Sequence, residues 1–233
     1  VFNSNWNFEK FQYQFKIPEN KSIVIKNAIE KVEKSEKPKD KISLIYHSTP
    51  WRGLVHLLKI FKRLNLKNVE LNVCSSTKIY GKKFDDILGK KYENIFKECQ
   101  NTKNVNFLGF QNNKKIINLL KKMHIFSFPS VWPETSCISA IESLASGCEV
   151  VTTNLGALYE TCAPFGTLVG YDSNFENLEK KFGKVLQKSI ENFWSDGNQK
   201  KLKLQYETIN ETYSWEVRSV EWKNFFDDVR KLK

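Results

Sequence analysis

No apolar run in this chain approaches the roughly 18 residues that a membrane-crossing helix needs, and no secretory signal pattern opens it. The five cysteines, Cys74, Cys99, Cys137, Cys148 and Cys162, are an odd number and include no Cys-x-x-Cys pair. Neither a disulfide framework nor a zinc site is supported. Three of the five fall in elements expected to be buried, so reduced core thiols in a cytoplasmic protein are the reading. No Asp-x-Asp occurs that could hold a metal ion against phosphates, and no metal or other cofactor is expected. An arginine-rich arm, an RNP motif and a helix-turn-helix signature are also lacking, as is any internal repeat. The first residue is Val1 rather than Met, so the expectation is a piece of something longer.

What is present suits a globular fold. The chain has 233 residues, 40% hydrophobic and 13% aromatic, enough for a real core. Its net charge of +11 admits nucleic acid, an anionic membrane surface or acidic ligands as partners. The lysines are scattered and interleaved with glutamates, however. A plain lysine-rich surface is the first reading and peripheral contact with a membrane the second; nucleic acid is not expected.

Taken in order, Asn/Ser residues cap a first helix carrying Phe8, Phe11 and Phe15, which Ile17-Pro18 ends. Ser22 to Ile25 reads as a short strand. Residues 31–41 alternate Lys and Glu around Pro38, as a solvated linker or loop would. Short apolar strands then alternate with helices. The strands are Ile42–His47, Val69–Cys74, Val105–Leu108, Ile125–Phe128, Glu149–Thr153 and Thr167–Val169. The helices lie near Leu54–Leu64, Tyr92–Gln100, Lys114–Lys122, Ser136–Ser146 and Leu158–Cys162. This alternation predicts an α/β fold, a doubly wound parallel sheet with ligands at the carboxyl ends of its strands. The remainder is helical, with a break at Ser195–Asn198 and a last helix, capped by Ser214, whose Trp215, Val220, Trp222, Phe225, Phe226 and Val229 call for a packing partner. The expected organisation is 1–30 as the end of a preceding domain, 31–41 as charged linker, 42–195 as the ligand-binding domain and 196–233 as helices packing back.

One stretch concentrates the chemistry. Residues 128–147 read as a strand end, a loop bounded by Pro129 and Pro133, and a helix capped by Thr135 or Ser136 and stopped by Gly147. Ile138, Ile141, Leu144 and Ala145 recur at helical spacing and would face a core. A helix N-terminus after a parallel strand favours phosphate, because free N–H groups and the helix dipole both attract an anion. Glu134 and Glu142 flank that end roughly 10 Å apart along a helix. Carboxylates repel phosphate but accept hydroxyl hydrogen bonds, which suits a ligand with hydroxyls at both ends and charge between them.

Glu134 and Glu142, with seven residues between them after Phe-Pro-Ser-x-x-Pro, resemble the E-x7-E motif of family-4 retaining glycosyltransferases, the glycosyl transferases group 1, which have the GT-B fold. The continuation Ala145-Ser146-Gly147-Cys148-x-Val150-Val151-Thr152-Thr153, with Gly156 and Glu160, is similar to that family, as is Val24-Ile25-Lys26-Asn27-Ala28-Ile29 at the crossover between its domains. The resemblance implies a Rossmann-like C-terminal half of a GT-B fold whose N-terminal domain is missing. It implies transfer of a hexosyl sugar from a UDP- or GDP-sugar to a glycan or lipid-linked acceptor, without a metal, in glycan biosynthesis. It would give Glu142 the ribose hydroxyls and Glu134 the donor sugar. Arg52, in the loop His47–Gly53, would meet the diphosphate with the amides of Thr135, Ser136 and Cys137. Ser48 and His47 lie in the same loop; His47 stands where the family commonly has Arg and would need its proton to serve. Gly109-Phe110-Gln111 matches the segment whose backbone meets the base. The fragment alone is expected to be inactive. A non-catalytic nucleotide-sugar-binding or regulatory module is the alternative, and a basic nucleic-acid-binding domain the lesser one.

Overall fold

The computed structural model describes residues 1–231, and all six strands run parallel in the order β3-β2-β1-β4-β5-β6. The strands are β1 (Ile42–His47), β2 (Val69–Cys74), β3 (Val105–Phe107), β4 (Ile125–Phe128), β5 (Glu149–Thr153) and β6 (Thr167–Val169). β1, β4 and β5 are buried along nearly their whole length, as strands covered on both faces must be. Five helices connect them: α2 (Leu54–Leu64), α3 (Lys82–Asn101), α4 (Asn113–Leu120), α5 (Ile138–Ala145) and α6 (Leu158–Cys162). They follow α1 (Asn5–Phe15) and precede α7 (Phe175–Asn192), α8 (Asp196–Thr212) and α9 (Trp215–Lys231). α2 packs against α3 and α7, while α5 packs against α4, α6 and α8, so the sheet is wrapped on both faces. The winding reverses between β1 and β4, which pair directly (Leu44↔Ile125, Ile45↔Phe126). A crevice opens at such a reversal, at the carboxyl ends of the strands.

Several boundaries depart from the sequence reading. Ser22–Ile25 forms no strand, only a single bridge between Val24 and Phe2. α3 begins ten residues earlier than the pattern suggests, because its first half carries few buried apolar positions and only Cys99 is fully buried. Residues 31–41 are irregular but not simply solvated. Val32 is buried, its N–H donating to Asn210 Oδ1 and its carbonyl accepting from the Tyr206 hydroxyl. Lys37 donates to the carbonyls of Leu120, Met123 and Ser146, closing the C-terminal ends of α4 and α5. All five cysteines are free and buried, two more than expected; burial pushes the Cys74, Cys99 and Cys162 thiols up to about 12. Much of the apolar load on α9 stays uncovered by the described residues: Trp215, Val220, Phe226 and Val229 are exposed, Trp222 and Phe225 are half-buried, and of its residues only Arg218 is buried.

Candidate functional site

The site's geometry starts with two glycines. Gly53 has φ +129°, and a Cβ there would lie 2.2 Å from the carbonyl oxygen of Pro129. Glycine therefore lets the β1–α2 and β4–α5 loops touch backbone to backbone, and the Val131 N–H donates to the Arg52 carbonyl. Gly156 has φ +67°, and its Cβ would lie 2.5 Å from the Glu134 carbonyl oxygen; here Ala157 N–H donates to that carbonyl. The loop after β5 thus fixes the backbone of Glu134. Glu160, singled out beside Gly156, turns elsewhere. Its carboxylate accepts from the N–H groups of Asn5 and Trp6, capping α1 and tying it to the sheet domain.

α5 begins at Ile138, two residues later than expected, and has no side-chain cap. The Thr135 hydroxyl instead accepts from Asn3 and the Ser136 hydroxyl from Asn27. Its C-terminus follows the pattern: Gly147 is left-handed, Gly147 N–H donates to Leu144 O, and Cys148 N–H donates to Ser143 O. Gln205 and Asn210 of α8 donate to further carbonyls there, so the helix bearing Glu142 is held firmly at its far end. Ile138 does not face the core. It is 46% exposed and lines the pocket described next.

That pocket, of about 300 Å³, lies where the loops after β1, β2 and β3 meet the start of α5. His47, Ser48, Arg52, Phe110, Gln111 and Glu142 all line it, as the sequence predicts, together with Ile79, Tyr80, Asn113 and Ser139, which it does not. Thr135, Ser136 and Cys137 are not among its walls; Ile138 and Ser139 present the helix tip instead. Glu134 reaches it through Arg52, whose Nη1 lies 3.0 and 3.1 Å from the two carboxylate oxygens. A larger opening of about 830 Å³ sits at the amino ends of β1 and β2, but it lacks the switch-point position.

Electrostatics separate the roles of these groups. Burial raises the pKa of Glu134, while Arg52 opposes the rise. Burial likewise raises that of Glu142, opposed by a 2.5 Å hydrogen bond from Asn113 Nδ2 to Oε1. His47 lines the pocket but is itself buried. Burial lowers its pKa to about 3, and Nε2 lies 2.8 Å from Ser143 Oγ. That hydroxyl gives its own proton to Ser139 O, so Nε2 carries the imidazole hydrogen and the ring is neutral. Arg52 is then the one cation lining the pocket among the described residues. Its Nε is buried without a hydrogen-bond partner, leaving donor capacity unused. Gln111 Nε2 donates to Leu108 O, which shapes the loop after β3. Among the described residues no cluster of acids, histidines and cysteines could hold a metal ion, and no helix is long and apolar enough to cross a membrane. One cation, a helix tip, an acceptor carboxylate and an exposed apolar wall of Ile79, Tyr80 and Phe110 suit an anionic ligand with hydroxyls at one end and a flat apolar group.

The sequence pattern of the glycosyl transferases group 1 family matches residues 25–201. No curated protein matches the chain. Among solved structures it is similar to a glycosyltransferase from Rickettsia africae, at 20% identity and a TM-score of 0.76 over 99% of this chain and 63% of that one. It is also similar to sucrose-phosphate synthase from Thermosynechococcus elongatus (15%, 0.77, 100% and 58%) and to Anabaena Alr3699/HepE solved with UDP and glucose (14%, 0.78, 97% and 62%). At such identities the likeness is one of fold, that of the C-terminal half of a GT-B glycosyltransferase. The chain spans 58% to 63% of the length of these three. With the family pattern covering most of its residues, the chain belongs to the glycosyl transferases group 1 family.

Proposed function

We propose that this chain is the donor-binding half of a retaining, family-4-type glycosyltransferase that moves a hexose from a UDP- or GDP-sugar onto a glycan or lipid-linked acceptor. One observation carries the reading: Arg52 and Glu142 line the same small pocket at the topological switch point, with Glu134 paired to Arg52. Glu142 accepts hydrogen bonds from the ribose hydroxyls. Arg52 and the tip of α5 hold the diphosphate and neutralise the charge that grows on it as the sugar departs, the point at which such a transition state needs help. Glu134, next to Arg52, hydrogen-bonds the donor sugar and places its anomeric carbon. Ser48 and the backbone of Phe110 and Gln111 complete the nucleotide contacts, and no metal is required. The UDP-bearing neighbour and the E-x7-E spacing support this assignment.

Calorimetric titration of the chain with UDP, GDP and ADP tests it. Saturable binding of a nucleoside diphosphate is expected, with Glu142→Ala weakening it by about 1–3 kcal/mol, the range for a hydrogen bond involving a charged group. Unchanged affinity in that variant removes Glu142 from the ribose. The acceptor side lies beyond these residues in this reading, so the chain alone should bind donor without transferring sugar. Tight donor binding with no turnover in the complete protein would favour a regulatory module instead.

A further inference from the structure

Glu142 has two carboxylate oxygens in different circumstances. Oε1 accepts the amide of Asn113, whereas Oε2 has no hydrogen-bond partner among the described residues and belongs to a side chain lining the pocket. Asn113 is itself fixed. It is the first residue of α4, directly after Asn112, whose side chain accepts from Lys115 N–H and sets where that helix begins. Asn113 lines the same pocket. A Glu side chain has three rotatable bonds, and a pocket-facing carboxylate without a second tether would sample several of them.

We propose that Asn113 is a positioning residue for the ribose contact. It holds Glu142 by one oxygen so that the other is presented, ionised, to the nucleotide's vicinal hydroxyls. The inference rests on the donor-site reading above. Two requirements meet in the one hydrogen bond. Direction is fixed because the amide donates to Oε1 alone. Charge is preserved because the bond favours the carboxylate, against a burial that favours the acid. A carboxylate accepts from both hydroxyls of a ribose, whereas the protonated acid offers a donor where two donors already converge. No group is transferred in this step; Asn113 acts only through Glu142.

The test compares the 233-residue chain with Asn113→Ala and Asn113→Asp. The ligands are UDP, GDP and the 2′,3′-dideoxy form of each, titrated by calorimetry from pH 5 to pH 8. Thermal unfolding serves as the control for folding. The expected result is a loss of about tenfold for the ribonucleotide in the Ala variant at neutral pH, roughly one hydrogen bond to a charged group. Little change is expected for the dideoxy form, and the acid limb of the ribonucleotide affinity should move to higher pH. The Asp variant, a near-isostere that cannot donate when ionised and adds a like charge, should show the same pattern more strongly. Equal losses for ribo- and dideoxynucleotide, or an unmoved acid limb in a folded variant, would overturn the proposal and leave Asn113 a structural residue. A wild-type chain that binds both forms equally would instead overturn the ribose contact itself, and the proposal with it.

Discussion

Single residues in the pocket are set against their own solvation. Glu134 and Glu142 are both buried, and in each burial raises the pKa. A carboxyl whose folded pKa is raised holds its proton more tightly in the folded state. Its contribution to stability is therefore full below the ordinary carboxylate pKa and is lost as pH rises through the raised value. Glu142→Gln keeps the acceptor for Asn113 and removes the charge. Thermal unfolding of the two proteins should coincide near pH 4, and at pH 7 the Gln variant should melt higher; a variant that melts lower at pH 7 would contradict the desolvation cost assigned to Glu142. Arg52 carries a matching liability. Arg52→Ala leaves Glu134 a buried, unpaired charge and should cost about 1–3 kcal/mol of stability by urea unfolding. Adding Glu134→Gln should recover most of that loss, and additive losses in the double variant would show that the pair does not couple. Asn113 shows why part of the site escapes a reading of sequence. Nothing local distinguishes it from its neighbours Asn112 and Gln111, since its meaning lies in a carboxylate that α4 and α5 bring near through packing.

Among the elements, the sheet was legible and the helix starts were less so. Most strands are short and rich in apolar or β-branched residues, and five of the seven expected ranges agree with the structure to the residue, while Ser22–Ile25 forms no strand. β3 ends one residue short. Helix starts depend on which side chain finds the free amides. At α5 the two candidate hydroxyls were drawn off by Asn3 and Asn27, residues remote in sequence, so the helix begins at Ile138. That same shift turns Ile138 outward to the pocket. The close contact of the β1–α2 and β4–α5 loops is an element-scale property, and Gly53→Ala probes it. The substitution would force a Cβ against Pro129 and demand a positive φ, worth about 1–2 kcal/mol for the backbone conformation alone. The expected result is a lower urea midpoint together with weaker nucleoside-diphosphate binding, because Arg52 is displaced with its loop. Loss of stability with unchanged binding would separate the loop contact from the pocket.

At the scale of the whole molecule, the conspicuous feature is the outer face of α9. The sequence marks its aromatic load plainly but not its destination. Trp215, Val220 and Phe226 are exposed, while Trp222 stacks on Phe226 and meets Phe225 edge-on along the helix. Exposed apolar surface of this kind favours association in water. Sedimentation of the isolated chain should show concentration-dependent self-association. Val220→Glu with Phe226→Glu should abolish it without altering nucleotide affinity, whereas persistent association in the double variant would place the sticky surface elsewhere.

The adjacency of β1 and β4 has a temporal meaning. β2, β3 and three helices separate them in the chain, yet the crevice exists only where they lie side by side. During synthesis, Arg52 and His47 emerge from the ribosome well before Glu134 and Glu142 can join them. In the donor-site reading proposed above, nucleotide has nothing to grip on a nascent half-sheet; it would act only as a clasp on the finished fold, rewarding chains that have closed their centre.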